Sequence, residues 1–186
     1  NNCAAEVCEG QQWDMEFETI NAVTVDQYIN MIRQKTAVLL GFSLELGGML
    51  AGASKTDCKA LREFGINIGI GFQLMDDLLD AYADPKKFGK QVGGDIIANK
   101  KTFLLITALE RANKQQHTEL QQKFNKRAKV KAVKNIYDEL QIPEITENKI
   151  KQYFNRGYKQ LEKVGGNKSA KKIVAAFTEE LIARQS

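Results

Sequence analysis

FQLMDDLLD, residues 72–80, sets three carboxylates, Asp76, Asp77 and Asp80, in a stretch whose other residues are those of a buried helix. Charge is costly to bury unless something compensates it. On a helix, positions three and four apart share a face, so Gln73, Asp76, Asp77 and Asp80 form one stripe, while Phe72, Leu74, Met75, Leu78 and Leu79 cover the other sides. One turn earlier, Gly65, Gly69 and Gly71 thin the helix enough for neighbours to approach closely. A helix apolar on most sides is a buried one, so the acids are expected to point into the protein. A solvated edge, a salt-bridge partner and a metal ion are the three readings of the stripe.

The surrounding chain is helical wherever it is periodic. The acidic stripe belongs to a helix over residues 57–83, opened by Thr56 and closed by Asp84-Pro85, because proline disfavours helical geometry in the residue before it. Upstream, residues 4–19 read as an acidic helix. Thr24-Val-Asp-Gln27 then has the spacing of a capping box and opens a helix running to Ala53. Downstream, a loop over residues 84–99 carries Gly89, Gly93 and Gly94. Helices are expected over 101–113, 116–141 (broken near Asn125), 144–163, with Pro143 at its start, and 168–184, with Gly165-Gly166 before the last. No alternating strand pattern and no internal repeat occurs. The expected fold class is all-α, and the 186 residues suffice for one domain with a real core.

Composition removes several function classes. Cys3, Cys8 and Cys58 have no CxxC spacing, which points away from a zinc site or disulfide framework and toward a reducing cytoplasm. One histidine, His117, leaves little room for a histidine metal site or a Ser-His-Asp triad. The most apolar run, residues 37–53, is 17 residues long and contains Glu45, so it reads as a core helix rather than a membrane span. Residues 1–93 hold 8 Lys/Arg against 13 Asp/Glu, and residues 94–186 hold 19 against 10. The basic half lacks interleaved aromatics, so it reads as solvated helix faces or a cation cluster for phosphate, not as a nucleic-acid surface.

Carboxylates without His or Cys select hard ions, Mg²⁺ or Mn²⁺ here, since the twelve-residue loop of an EF-hand is missing. Cations surround the stripe in the chain. Lys90 lies in a glycine-containing loop, Lys100 and Lys101 at the start of the next helix, and Lys35 in mid-helix among Met31, Val38, Leu39 and Phe42. Glycine loops and helix N-termini favour phosphate oxygens. A diphosphate–Mg²⁺ complex suits the combination.

The segment GFQLMDDLLDAYADPKKFGKQVGGDIIANKKT, residues 71–102, resembles the second aspartate-rich region of the trans-isoprenyl (polyprenyl) diphosphate synthases. The order is specific: FQxxDDxxD, a DPxxFGK-type loop, GGD, and a lysine five residues after that aspartate. EGQQWD (residues 9–14) and IRQKTAVLL (residues 32–40) are also similar to that family, and the resemblance runs from Glu6 to Leu105. It implies an isoprenoid synthase-like helical bundle that lengthens a trans-polyprenyl diphosphate, of short to medium chain, by condensing an allylic diphosphate with isopentenyl diphosphate. Residue by residue, it makes Asp76 the direct Mg²⁺ ligand, with Asp77 and Asp80 supporting through metal-bound water. Lys35, Lys90 and Lys100 would hold the allylic diphosphate, and Thr36 and Gln73 would line the pocket near the reacting carbons. Gln11 and Asp14 match family positions on the acidic helix. A cytoplasmic homodimer is the expected assembly.

The resemblance also implies a first aspartate-rich region, and no other DDxxD occurs in these residues. The chain is therefore expected to be the C-terminal part of a polyprenyl synthase, inactive alone. A non-catalytic partner of a prenyl synthase is the alternative, although its motif would be expected to be degraded. A head-to-head condensing enzyme would carry a different second motif.

Overall fold

In the computed structural model, residues 1–83, 92–121 and 126–183 are described. Helix α1 (Asn2–Phe17) leads to α2 (Val25–Ile32) through an extended turn at Thr24. The capping box forms as its spacing predicts: the Gln27 amide donates to Thr24 Oγ1 at 3.2 Å, and the Thr24 amide donates to Gln27 Oε1 at 2.9 Å. Two backbone donors at the helix start are thereby satisfied.

The helix expected over residues 24–53 is not continuous. Arg33–Ala37 form a π-helical turn, closed by the Val38 amide on the Arg33 carbonyl, before α3 (Val38–Leu50) resumes. A five-residue ring replaces a four-residue one, inserting one residue into the helical phase. Lys35 and Thr36 lie in this turn. Gly10 of α1 packs directly on it, and a Cβ at Gly10 would stand 2.3 Å from the Lys35 amide nitrogen.

Helix α4 (Lys55–Tyr82) is the long central element. Its cap is Ser54 rather than Thr56: Ser54 is extended, and its hydroxyl accepts from the Asp57 amide at 3.1 Å. Asp57 completes the cap by accepting from Ser54 Oγ at 2.7 Å and from the distant Gly165 amide at 2.6 Å. A carboxylate in the first turn also complements the helix dipole. The glycines of α4 are contact points. A Cβ at Gly65 would meet the Gly41 backbone at 2.8 Å, at Gly69 the Ala37 Cα at 2.7 Å, and at Gly71 the Phe154 ring at 2.5 Å.

Beyond α4 the expected loop contains a short helix, α5 (Gly94–Ala98), bounded by left-handed residues, Gly93 (φ 81°) and Asn99 (φ 55°). These left-handed ends let one turn of helix fit within the loop. Then come α6 (Phe103–Arg111), α7 (Lys114–Gln121), α8 (Lys126–Glu139), α9 (Ile142–Lys163) and α10 (Lys168–Ala183). Thr102, whose hydroxyl accepts from the Leu105 amide, caps α6, so Lys100 and Lys101 lie in the turn before the helix and not within it. Pro143 sits in the first turn of α9, where its missing N–H costs nothing. The expected break near Asn125 lies outside the described residues.

Two apolar clusters hold the bundle together. Phe17, Tyr28, Met31 and Ile32 pack onto Ile66, Ile70 and Leu74 of α4, with Phe103, Ile106, Ile150 and Tyr153 closing the far side. Ala81, Ile96, Leu104, Leu120, Val133, Ile136, Tyr137 and Ile142 form the second. Each large side chain so buried contributes roughly 1.5–3 kcal/mol. The acidic end of α4 lies where the two clusters meet, since Leu78 packs against both. No strand occurs among the described residues, and the fold is all-α. None of their helices is long and apolar enough to cross a membrane.

Candidate active-site cleft

The buried apolar faces of α2 and α4 bring Tyr28 to Asp77. Asp77 is only 5% exposed and Tyr28 3%. The Tyr28 hydroxyl donates to Asp77 Oδ2, and Gln73, one turn back on α4, offers its amide to Oδ1 at 3.5 Å. Thr36 in turn donates to Gln73 Oε1 at 3.3 Å. The π turn and the stripe are thus joined by one hydrogen-bonded chain: Thr36, Gln73, Asp77, Tyr28.

Burial drives the Asp77 carboxyl up to about 7; the Tyr28 hydroxyl lowers it, and the nearby Asp95 charge raises it. Burial, then the Asp77 carboxylate, push the Tyr28 phenol well above its ordinary value. Tyr28 therefore remains a donor at every physiological pH. It holds the carboxylate in place without carrying charge.

The other two aspartates have different surroundings. Asp80 is half buried, and its Oδ2 accepts from the Asp95 amide at 2.9 Å. Burial raises its carboxyl above the usual range, with the Asp95 amide working against that rise and the Asp95 charge reinforcing it. Asp76 is also half buried. The stripe therefore splits by role: Asp77 anchors inward, and Asp80 fastens α5. No three His, Cys, Asp or Glu side chains among the described residues are gathered closely enough to hold a metal ion. The stripe is thus an array of hard oxygen donors rather than a preformed cage, which suits an ion that keeps water and shares its shell with phosphate.

Opposite the stripe stand the lysines. Lys35 Nζ pairs with Asp14 Oδ2 at 2.6 Å, tying the π turn to α1. Lys100 Nζ pairs with Asp95 at 3.2 Å. Burial alone would depress the Lys100 ammonium, but the Asp95 carboxylate, helped by Asp14 and Asp77, more than offsets it and the net shift is upward. Lys101 donates to the Phe17 carbonyl at 2.6 Å, and both residues line the same cleft. Asp14, Tyr28, Lys35, Gln73, Asp77 and Lys100 line one cleft of about 520 Å³, open solvent at its mouth included. Behind it lies a second cavity, with Asp77 and Lys100 in the shared wall and Asp80, Asp95, Asn99, Lys129 and Tyr137 around it.

Of the residues singled out from sequence, Asp14, Lys35, Gln73, Asp77 and Lys100 line the cleft, Thr36 is joined to it through Gln73, Asp80 lines the second cavity, and Asp76 lines neither. Gln11 is exposed on α1. Lys90 lies outside the described residues. Three participants carried no flag in the sequence. Tyr28 could have been found from its place on the apolar face of α2, because a buried tyrosine needs a partner for its hydroxyl. Asp95 stood in the quoted motif without a role. Lys129 sits in a run of basic residues and gave no signal.

The family model described as polyprenyl synthetase matches residues 1–140. Over 110 residues the chain is 44% identical to a short chain isoprenyl diphosphate synthase of Methanocaldococcus jannaschii, a stretch covering 59% of this chain and 33% of that protein. It is likewise 44% identical over 109 residues to a geranylgeranyl diphosphate synthase of Methanosarcina mazei, covering 59% and 34%. The crystal structure of a geranylgeranyl pyrophosphate synthase superposes on all of this chain and 59% of its own, with a TM-score of 0.89 and 37% identity. That of the Pyrococcus horikoshii geranylgeranyl pyrophosphate synthetase covers 95% and 55%, at 0.86 and 31%. The matches take in about a third of the length of these curated relatives and somewhat over half of these solved chains.

Proposed function

We propose, on the premise that the chain belongs to the polyprenyl synthetase family, that the protein containing it is a Mg²⁺-dependent trans-prenyltransferase. It would extend an allylic diphosphate with isopentenyl diphosphate to a short- or medium-chain product. One observation carries this reading: two lysines, Lys35 and Lys100, converge with the Asp77–Gln73 face of the acid stripe on a single cleft. Stabilising a departing diphosphate needs both ammonium groups and carboxylate-held hard cations.

Lys35 and Lys100, with Lys90, would bind the allylic diphosphate, and each of the first two would exchange a carboxylate partner (Asp14 or Asp95) for a phosphate oxygen. Because both lysines are paired before substrate arrives, they are fixed in position, and little rotamer entropy is lost on binding. Thr36 and Gln73 would border the reacting carbons, their polar atoms already satisfied by one another and by Asp77, so they offer no free nucleophile to a carbocation. Asp76 would hold Mg²⁺ directly, with Asp77 and Asp80 supporting it through metal-bound water. When bound, the ion supplies Lewis-acid stabilisation of the leaving diphosphate. We further propose that residues 1–186 form one folded unit of a longer cytoplasmic, homodimeric enzyme, whose other aspartate-rich region would lie outside these residues.

Calorimetric titration of this chain with inorganic pyrophosphate tests the reading. Weak binding is expected with Mg²⁺ and none without it, lost in Asp76→Ala and in Lys35→Met. No condensation is expected from the chain alone, and measurable incorporation of isopentenyl diphosphate by it would overturn that part. In the complete enzyme Asp76→Ala should lower kcat by orders of magnitude, and a near-normal rate would sink the metal assignment.

A further inference from the structure

Helix α5 is one turn long and has no core of its own, yet it carries Asp95, whose amide fastens Asp80 and whose carboxylate pairs with Lys100. A helix so short is not stable by itself. Something must hold it, and α8 does so at both ends with two adjacent residues. At the leading end, Gly93 lies flat against Val130, where a Cβ would come within 2.8 Å of its Cγ2. At the trailing end, the Lys129 ammonium donates to Asn99 Oδ1. Asn99 is the left-handed residue that ends α5 and turns the chain so that the Lys100 amide returns to the Asp95 carbonyl at 3.0 Å.

Lys129 is unusual for its kind. It is 6% exposed, and burial lowers its ammonium from the ordinary lysine value. Lysine is almost never buried unless it is paired. Here an amide oxygen in a strained left-handed turn takes that place, in the cavity behind the lysine–aspartate wall.

We propose that Lys129 is a positioning residue for Lys100: by clamping the Asn99 turn it fixes the direction in which the Lys100 ammonium enters the cleft. The inference deepens the reading of the cleft as a diphosphate site and rests on it. Lys129 itself touches no substrate. Its effect passes through Asn99 and the backbone of residues 99–100.

Two readouts test this. The first needs no ligand: in Lys129→Met, hydrogen exchange at the Lys100 amide should quicken about tenfold or more relative to amides of α4, because the clamp on its local opening is gone. The second is the affinity for inorganic pyrophosphate with Mg²⁺, expected to fall about tenfold in Lys129→Met and to recover largely in Lys129→Arg. In a Lys100→Met background, Lys129→Met should cost nothing more, since coupled residues are non-additive. An equal further loss in that background, as general loosening would give, overturns the proposal, as does unchanged exchange at Lys100. Should Lys129→Met fail to fold, Asn99→Gly keeps the left-handed turn, removes the acceptor, and must reproduce both effects. A wild-type chain with no Mg²⁺-dependent pyrophosphate binding overturns the diphosphate reading, and the functional half of this proposal falls with it. The exchange result still decides the clamp.

Discussion

Replacing Gly10 by alanine adds one methyl group at the point where α1 crosses the π turn. The new Cβ would lie 2.3 Å from the Lys35 amide nitrogen and 2.7 Å from its Cα. Ordinary contact needs about 3.5 Å or more, so the two backbones must separate by roughly 1.2 Å. Neither atom belongs to a side chain that could rotate away. Asp14 lies one helical turn further along α1 on the same side. A shift of that size would stretch its 2.6 Å bridge to Lys35 beyond hydrogen-bonding range.

Two effects oppose one another in stability. Alanine is favoured over glycine in a helix by about 1 kcal/mol, and overpacking costs about 1–3 kcal/mol. The expected net loss is about 1 kcal/mol, or roughly 2–4 °C in Tm for a chain of this size. Gly47→Ala is the control. It is also helical and has nothing within 4 Å of its would-be Cβ, so it should gain what Gly10→Ala cannot. Thermal unfolding of both variants, with calorimetry of Mg²⁺–pyrophosphate binding, reads the two consequences. If Gly10→Ala is stabilised as much as Gly47→Ala and binds pyrophosphate normally, the close crossing does not hold Lys35 in place.

Other perturbations have definite signs. Asp77→Asn should stabilise the protein at pH 8. The folded carboxyl titrates at about 7 against 3.8 when unfolded, so ionising it in place costs on the order of 4 kcal/mol. The advantage should grow as pH rises from 4 to 7 and vanish below 4; a pH-independent difference would refute the burial argument. Asp57 behaves oppositely: the Gly165 amide and the Ser54 hydroxyl hold its carboxyl below the ordinary value. Its contribution is present above pH 3.8 and lost as pH falls through the depressed value, so the Tm gap between wild type and Asp57→Asn should close at strongly acidic pH. Gly93→Ala should cost about 1–3 kcal/mol, because its φ of 81° and the 2.8 Å approach to Val130 both exclude a side chain; chemical denaturation measures it.

The all-α class, the capping box at Thr24 and the close-packed glycines of α4 were legible because each follows from local spacing. The cap of α4 was misplaced by two residues because Ser54 and Thr56 are chemically equivalent caps. The choice fell to Asp57, which serves Ser54 and the distant Gly165 together. The π turn left no trace in periodicity, since the apolar run that follows it, residues 37–53, reads alike in either phase. At the site, the stripe and the lysines could be named from order along the chain. Their division could not, because Asp77 is set apart from Asp80 by Tyr28, 49 residues away. Lys129 was invisible for the same reason: in sequence it is one of several lysines, and only its burial against Asn99 distinguishes it.

The π turn at Arg33–Ala37 has a bearing on how this chain can change in descent. It is an insertion already absorbed: one residue more than an α-helix would carry between the capped start at Thr24 and the glycine crossing at Gly41. Substitutions within it alter side chains and leave its phase alone. Loss of a single codon there would close regular α-helix and leave what lies beyond in phase, with Gly41 still on Gly65, but it would remove the turn that presents Lys35 and Thr36. Natural variants that keep Lys35 and Thr36 beside the cleft should therefore also keep the length of this segment.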